Sequence, residues 1–250
     1  MPSLTIIPLL GLPRIQPGDD LSALLLGAIA ATTSGLEARD VVVVCQKVVS
    51  KAEGRVVDLT GIQPSVFATQ VAAHTGKDAR LVEVILRETT RIVKMSDGHL
   101  ICETGPGWIC ANAGVDESNS AADGHVTLLP QDADESAERI RAALATAAGA
   151  PIGTIITDTF GRPWREGLIE VALGVAGIGA LLDLRGRHDL SGRPLHHTII
   201  AIGDEIASAA GLLMAKDSGI AAVIVRGIAW DATHGRGCHL IRPRALDLFR

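Results

Sequence analysis

The chain has 250 residues, 47% of them hydrophobic, enough to bury a sizeable core in one large domain or two interlocked subdomains. Its 23 Lys and Arg against 28 Asp and Glu leave a net charge of −5, and aromatic residues make up only 2% with no Tyr. Neither a broad basic field nor a stacking platform can be built from this composition, which argues against nucleic acid and anionic membrane as partners.

No basic stretch leading into an apolar one opens the chain, and the longest uncharged apolar run, residues 171–182, is Gly-rich and short of the roughly 20 residues of a bilayer span. A cytoplasmic protein is expected. The four cysteines, Cys45, Cys102, Cys110 and Cys238, show no CxxC pairing, so reduced, structural thiols are expected.

In chain order, residues 4–10 read as a strand, broken by Gly11-Leu12-Pro13 ahead of the turn Pro17-Gly18-Asp19-Asp20. Asp19 or Asp20 can cap a helix carrying Leu21, Leu24, Leu25 and Ile29 at helical spacing, with Gly35 as its stop. The β-branched run 41–45 reads as a strand buried on both faces. Apolar periodicity predicts helices over 65–75 and 78–93.

Strands over 99–103 and 108–115 flank Thr104-Gly105-Pro106-Gly107, a hairpin composition. Residues 136–148 read as a helix feeding a strand over 152–157. The Gly-rich stretch 167–184 fits either a kinked helix or a bent strand. A strand over 198–202, a helix over 204–216 and a strand over 221–228 complete the chain. The order is not a clean βα alternation, and the 99–115 hairpin brings in antiparallel pairing, so the expected class is α+β with mixed sheets.

Two segments carry the chemistry. Ala111-Asn112-Ala113-Gly114-Val115-Asp116-Glu117-Ser118-Asn119 and Ile155-Ile156-Thr157-Asp158-Thr159-Phe160-Gly161-Arg162 each lead an apolar strand into an Asp flanked by hydroxyl, amide and Gly residues. Such ends suit a hard divalent cation and a polyphosphate, with Asp116, Asp158 and Thr159 as oxygen donors and Asn119 beside them. Either Asp, taken alone, equally suits a cap on the element that follows.

The run Gln46-Lys47-Val48-Val49-Ser50-Lys51-Ala52-Glu53-Gly54-Arg55 leaves the buried strand and sets cations beside a Gly-containing turn, with Lys51 the candidate for a triphosphate tail. A solvated basic surface is the ordinary alternative. No Walker motif and no Rossmann GxGxxG follow a strand, HExxH is missing among the eight histidines, and GxSxG is missing too. A nucleotide site here must be of another kind.

These motifs, with Ile7-Pro8-Leu9-Leu10-Gly11-Leu12-Pro13 before them and Gly203-Asp204-Glu205-Ile206-Ala207 after them, resemble the coenzyme F-420-0:L-glutamate ligase family over nearly the whole chain. The resemblance implies a stand-alone ligase domain over 1–250 in two interlocked subdomains, forming homodimers and holding no flavin. It implies a GTP-dependent enzyme that joins L-glutamate to coenzyme F-420-0 through an acyl phosphate, releases GDP and phosphate, and can extend the product with γ-linked glutamates.

It also implies Mg2+ or Mn2+ at Asp116, Asp158 and Thr159, with K+ as a further ion. GTP contacts are implied for Leu10, Gly11, Leu12, Pro13, Gln46, Lys51 and Asn119, and for Met214 and Lys216 in a segment, 212–218, that closes over the nucleotide. The chain departs from its relatives at Gln46, where a small hydroxyl residue is common, and over Ala215-Lys216-Asp217-Ser218, where some relatives are richer in Gly. A ligase for a variant deazaflavin phosphodiester and a non-catalytic GTP-binding relative are the alternatives.

Overall fold

The computed structural model describes residues 3–96, 98–117, 124–230 and 232–247. Its centre is a five-stranded mixed sheet in the order β1-β12-β2-β8-β9, built from Thr5–Pro8, Ala222–Arg226, Val41–Cys45, Gly153–Arg162 and Arg165–Ala176. Only β2 and β8 run parallel, with Cys45 beside Thr157; every other neighbouring pair is antiparallel.

The continuous apolar run of β2 is explained by cover on both faces. Val42 and Val44 pack with α1 (Leu21–Thr32) and α5 (Ala133–Ala148) through Leu25, Ile29, Ile140 and Leu144. Val41 and Val43 face the other way, into a layer containing Ile206, Ala207 and Ala210 of α6 (Ile202–Gly211) and Trp230. Period-two alternation splits one strand between two cores.

Residues between these elements form a third core. Helices α3 (Val66–Thr75) and α4 (Ala79–Arg87) pack Val71, Leu81 and Ile85 against Leu100 and Cys102 of β5, in a three-stranded antiparallel sheet β4-β5-β6 of Thr89–Ser96, His99–Thr104 and Ile109–Ala111. Two-stranded pairs join β3 (Val56–Asp58) to β7 (His125–Thr127) and β10 (Leu182–Asp183) to β11 (Ile199–Ile200). The mixed α and β content matches the expected class. Among the described residues no helix is long and apolar enough to cross a membrane.

Local chemistry accounts for most boundaries. Asp20, not Asp19, caps α1, accepting from Ala23 N at 3.1 Å. The helix over 78–93 stops at Arg87, because Thr89 onward belongs to β4, where Arg91 pairs with Glu103 at 2.5 Å across the strands. Asp132 caps α5 and brings its start forward to Ala133.

The Gly-rich stretch is strand as far as Ala176, bent at a bulge opposite Ile156 and Thr157. At Gly174 a Cβ would lie 2.0 Å from the Ala133 carbonyl oxygen, so the close approach of α5 requires glycine there. Residues 204–216 are helical only to Gly211, and α6 begins two residues earlier than the spacing predicts, at Ile202.

Candidate functional site

The cationic run after β2 is helical as far as Ala52, and the Gly-containing turn follows at Glu53 and Gly54. Cys45 ends β2 and Gln46 opens α2 (Gln46–Ala52) with no residue between them. Helical spacing then sorts the side chains, since residues four apart share a face. Gln46, Val49 and Ser50 are buried, and Ser50 Oγ donates to Gln46 Oε1 at 2.9 Å. Lys47, Val48 and Lys51 face outward into a cleft of about 750 Å³.

That cleft opens beyond the carboxyl end of β2, the place where strands of a mixed or parallel sheet commonly present ligands. Asp158 and Thr159 enter it from β8, one and two residues past the Thr157 that pairs with Cys45. Asp116 enters from the other side. Its main chain exchanges two 2.9 Å hydrogen bonds with Thr127, and it follows a turn in which Asn112, Ala113 and Gly114 all have positive φ (54°, 52° and 75°).

Two consecutive non-glycine residues in the left-handed region cost roughly 1–2 kcal/mol each. At Gly114 a Cβ would meet Leu129 Cγ at 2.5 Å, so the turn packs against Leu129 too closely for any residue but glycine. Strain of this kind persists where surrounding packing over-determines it, and here it aims the Asp116 segment into the cleft.

The cleft lining carries both charges. Arg14, Lys47, Lys51 and Lys216 supply the cations; Asp116, Glu117, Asp158 and Glu170 supply the carboxylates. Lys47 Nζ bridges them at 2.7 Å from Asp116 Oδ2. Burial, then the Lys47 and Arg14 charges, lower the Lys51 ammonium, an expected cost of crowding cations. Burial pushes the Asp158 carboxyl up to about 6; the Glu170 and Asp116 charges add to the rise, while the Thr159 N–H and the Gln46 side chain oppose it.

Of the sequence-predicted residues, Leu12, Pro13, Lys51, Asp116, Asp158, Thr159, Met214 and Lys216 line this one cleft. Leu10 and Gly11 stand just outside it: Leu10 is 57% exposed and its N–H reaches Thr32 Oγ1 at 3.4 Å. Gln46, 1% exposed, lies beneath the cleft floor, touching Asp158 rather than the open space. Asn119 lies outside the described residues.

Sequence reasoning passed over Glu170 and Arg14 and preferred Lys51 to its equal neighbour Lys47. The i, i+4 spacing of Lys47 and Lys51 was a legible signal for the latter pair. A second cleft, of about 650 Å³, contains none of the sequence-predicted site residues.

A hard divalent cation fits the donor set. Among the described residues no three His, Cys, Asp or Glu side chains converge to hold a metal unaided. Magnesium, however, is ordinarily held by one or two carboxylates together with substrate phosphates and water. Asp116, Asp158 and the Thr159 hydroxyl offer that partial shell, and a cation would offset both the burial and the neighbouring carboxylates that raise Asp158.

Comparison with known proteins shows the family to which the chain belongs. A family model described as F420-0:Gamma-glutamyl ligase matches residues 10–227, a span that takes in every cleft residue above. The chain is 44% identical over 250 residues to the coenzyme F420:L-glutamate ligase of Methanothermobacter thermautotrophicus, covering 99% of each. It is 46% identical over 255 residues to the protein of that name from Methanopyrus kandleri, covering 100% of this chain and 99% of the relative. With that of Methanocaldococcus jannaschii the identity is 45% over 216 residues, 86% of each. The chain belongs to the F420-0:Gamma-glutamyl ligase family.

Proposed function

We propose that this protein uses GTP to join L-glutamate to the terminal carboxylate of coenzyme F-420-0 through an amide bond. The observation that carries the reading is the gathering of Arg14, Lys47 and Lys51 with Asp116, Asp158 and Glu170 in one cleft, in a chain that belongs to this family.

A carboxylate is a poor acyl donor. Transfer of the γ-phosphoryl group of GTP to it gives an acyl phosphate; the amine of glutamate then attacks, the C–N bond forms, and phosphate leaves. The charge demand of these steps falls on the residues in hand. Arg14, Lys47 and Lys51 bind the triphosphate and offset its charge as it shifts between oxygens. The turn at Leu10, Gly11, Leu12 and Pro13, with Met214 and Lys216 opposite, bounds the rest of the nucleotide. Gln46 acts from below, orienting Asp158.

Asp116, Asp158 and Thr159 would hold Mg2+ or Mn2+, which when bound neutralises phosphoryl oxygens and aligns the transfer. The same reading makes the protein a cytoplasmic homodimer in which K+ can assist. The exposed Trp164, Leu168 and Leu190 supply apolar surface for such pairing. It also divides the chain into two subdomains, the smaller built around the core of α3, α4 and β5; the separate packing of that core supports the division.

The test is mass spectrometry of the purified protein incubated with coenzyme F-420-0, L-glutamate, GTP and Mn2+, with ATP and metal-free controls. A mass gain of one or more glutamyl units only with GTP and metal is the expected result. Bound GTP without product or GDP release would sink the catalytic reading; GDP release without product would point to a variant acceptor.

A further inference from the structure

Glu170 stands directly opposite Thr159 in the β8–β9 register and on the diagonal from Thr157, positions that share one face of a sheet. Its carboxylate is divided between them. Oε1 accepts from Thr159 Oγ1 at 2.5 Å and Oε2 from Thr157 Oγ1 at 2.8 Å. Thr157 is fully buried, whereas Thr159 and Glu170 both line the cleft.

Helix α6 fixes Glu170 from behind. Ser208 Oγ donates to the Glu170 carbonyl at 2.8 Å. Gly211, the last residue of α6, packs so closely that a Cβ there would lie 2.6 Å from Glu170 Cγ and 3.3 Å from its Cβ. The chain then runs on to Met214, Ala215 and Lys216 in the cleft wall. One side chain therefore joins the hydroxyl donor of the site to the helix end from which the opposite wall departs.

The physical consequence concerns one proton. A threonine hydroxyl has a single hydrogen and two lone pairs, and only the lone pairs can meet a cation. A carboxylate is the stronger acceptor, so the hydrogen is committed to Glu170 and the lone pairs are left toward the cleft.

We propose that Glu170 is a positioning residue of this site: by accepting the Thr159 hydrogen bond it presents the Thr159 oxygen as a fixed donor for the divalent cation, and it keys that donor to the end of α6. This rests on the metal-assisted reading above. Thr157 Oγ1 also lies 2.9 Å from the Val171 carbonyl oxygen, so its hydrogen has a second acceptor and glutamine at 170 can still accept from Thr159; alanine at 170 removes the acceptor of Thr159 altogether.

The experiment is Mn2+ binding to the full chain in the presence of GDP, read from the electron paramagnetic resonance signal of free Mn2+. The proteins compared are wild type, Glu170→Ala, Thr159→Ala, the double variant and Gly211→Ala. We expect about a tenfold weaker affinity for Glu170→Ala, with the double variant no weaker than Thr159→Ala alone, because coupled residues do not add. Gly211→Ala, which lies outside the cleft lining, should reproduce the loss by displacing Glu170. Wild-type affinity in Glu170→Ala, or losses that add in the double variant, overturns the proposal. A wild-type protein that binds no Mn2+ overturns the metal reading itself, and the proposal with it.

Discussion

The ammonium of Lys47 rests on the carboxylate of Asp116, 2.7 Å away, while Asp158 and Glu170 lie in the same cleft without such a partner from α2. Lys47 thus holds the position of counter-charge that a divalent cation would claim. Lys47→Met should tighten Mn2+ binding about threefold in the nucleotide-free protein, the scale of a half-buried ion pair of about 0.7 kcal/mol, and raise the KM for GTP roughly tenfold through loss of a phosphate contact. Calorimetric titration of both ligands checks this; unchanged Mn2+ affinity would show that the ammonium does not compete.

Burial holds the Asp158 carboxyl at about 6, above its ordinary 3.8. The folded metal-free protein therefore holds this proton more tightly than the unfolded chain does. Its contribution to stability is fully present below about 4 and is lost as pH rises through about 6. Asp158→Asn should remove that slope and raise the metal-free Tm at pH 8, while abolishing turnover. Thermal melts of both proteins between pH 4 and 8 test the sign; parallel profiles would refute it.

Two glycines separate steric from conformational demands. Gly174→Ala drives a Cβ to 2.0 Å from the Ala133 carbonyl and should cost about 3 kcal/mol or more, or prevent folding. Gly149, the left-handed cap of α5 at φ 61°, has open space around it, so Gly149→Ala should cost only about 1 kcal/mol. Urea denaturation of the two variants gives the ranking, and equal costs would contradict it.

Burial pushes the Cys45 thiol up to about 11 and the Cys110 thiol to about 12, and Cys102 is raised by burial as well. Cys238 is the exposed cysteine. In the native protein at pH 8 an aromatic disulfide reagent should label Cys238 fastest, and Cys238→Ser should remove that fast phase; equally rapid labelling of Cys45, which borders the cleft, would contradict this ranking.

The strands and helices with strong local patterns were legible without coordinates. Four consecutive valines announce a strand buried on both faces, Asp-capped apolar repeats announce α1, and Thr104-Gly105-Pro106-Gly107 announces the β5–β6 hairpin. Helix α2 was not, because seven residues hold too few turns for periodicity to show, and β4 was absorbed into the preceding helix because Ile92 continues its spacing. The chemistry of the site was likewise readable where a residue sits in a motif: Asp116, Asp158, Thr159 and Lys51 all reach the cleft.

Glu170 sits in no motif. Its part follows from strand register, which sets it against Thr159, and from a missing Cβ on a helix distant in sequence, neither of which local composition encodes. By itself the sequence determined which oxygen and nitrogen donors the protein possesses and the apolar pattern that builds its sheets, since these depend on residue type and short-range spacing. Only the tertiary structure decided which donors face one another, because convergence across more than a hundred residues is fixed by strand pairing and packing rather than by any local preference.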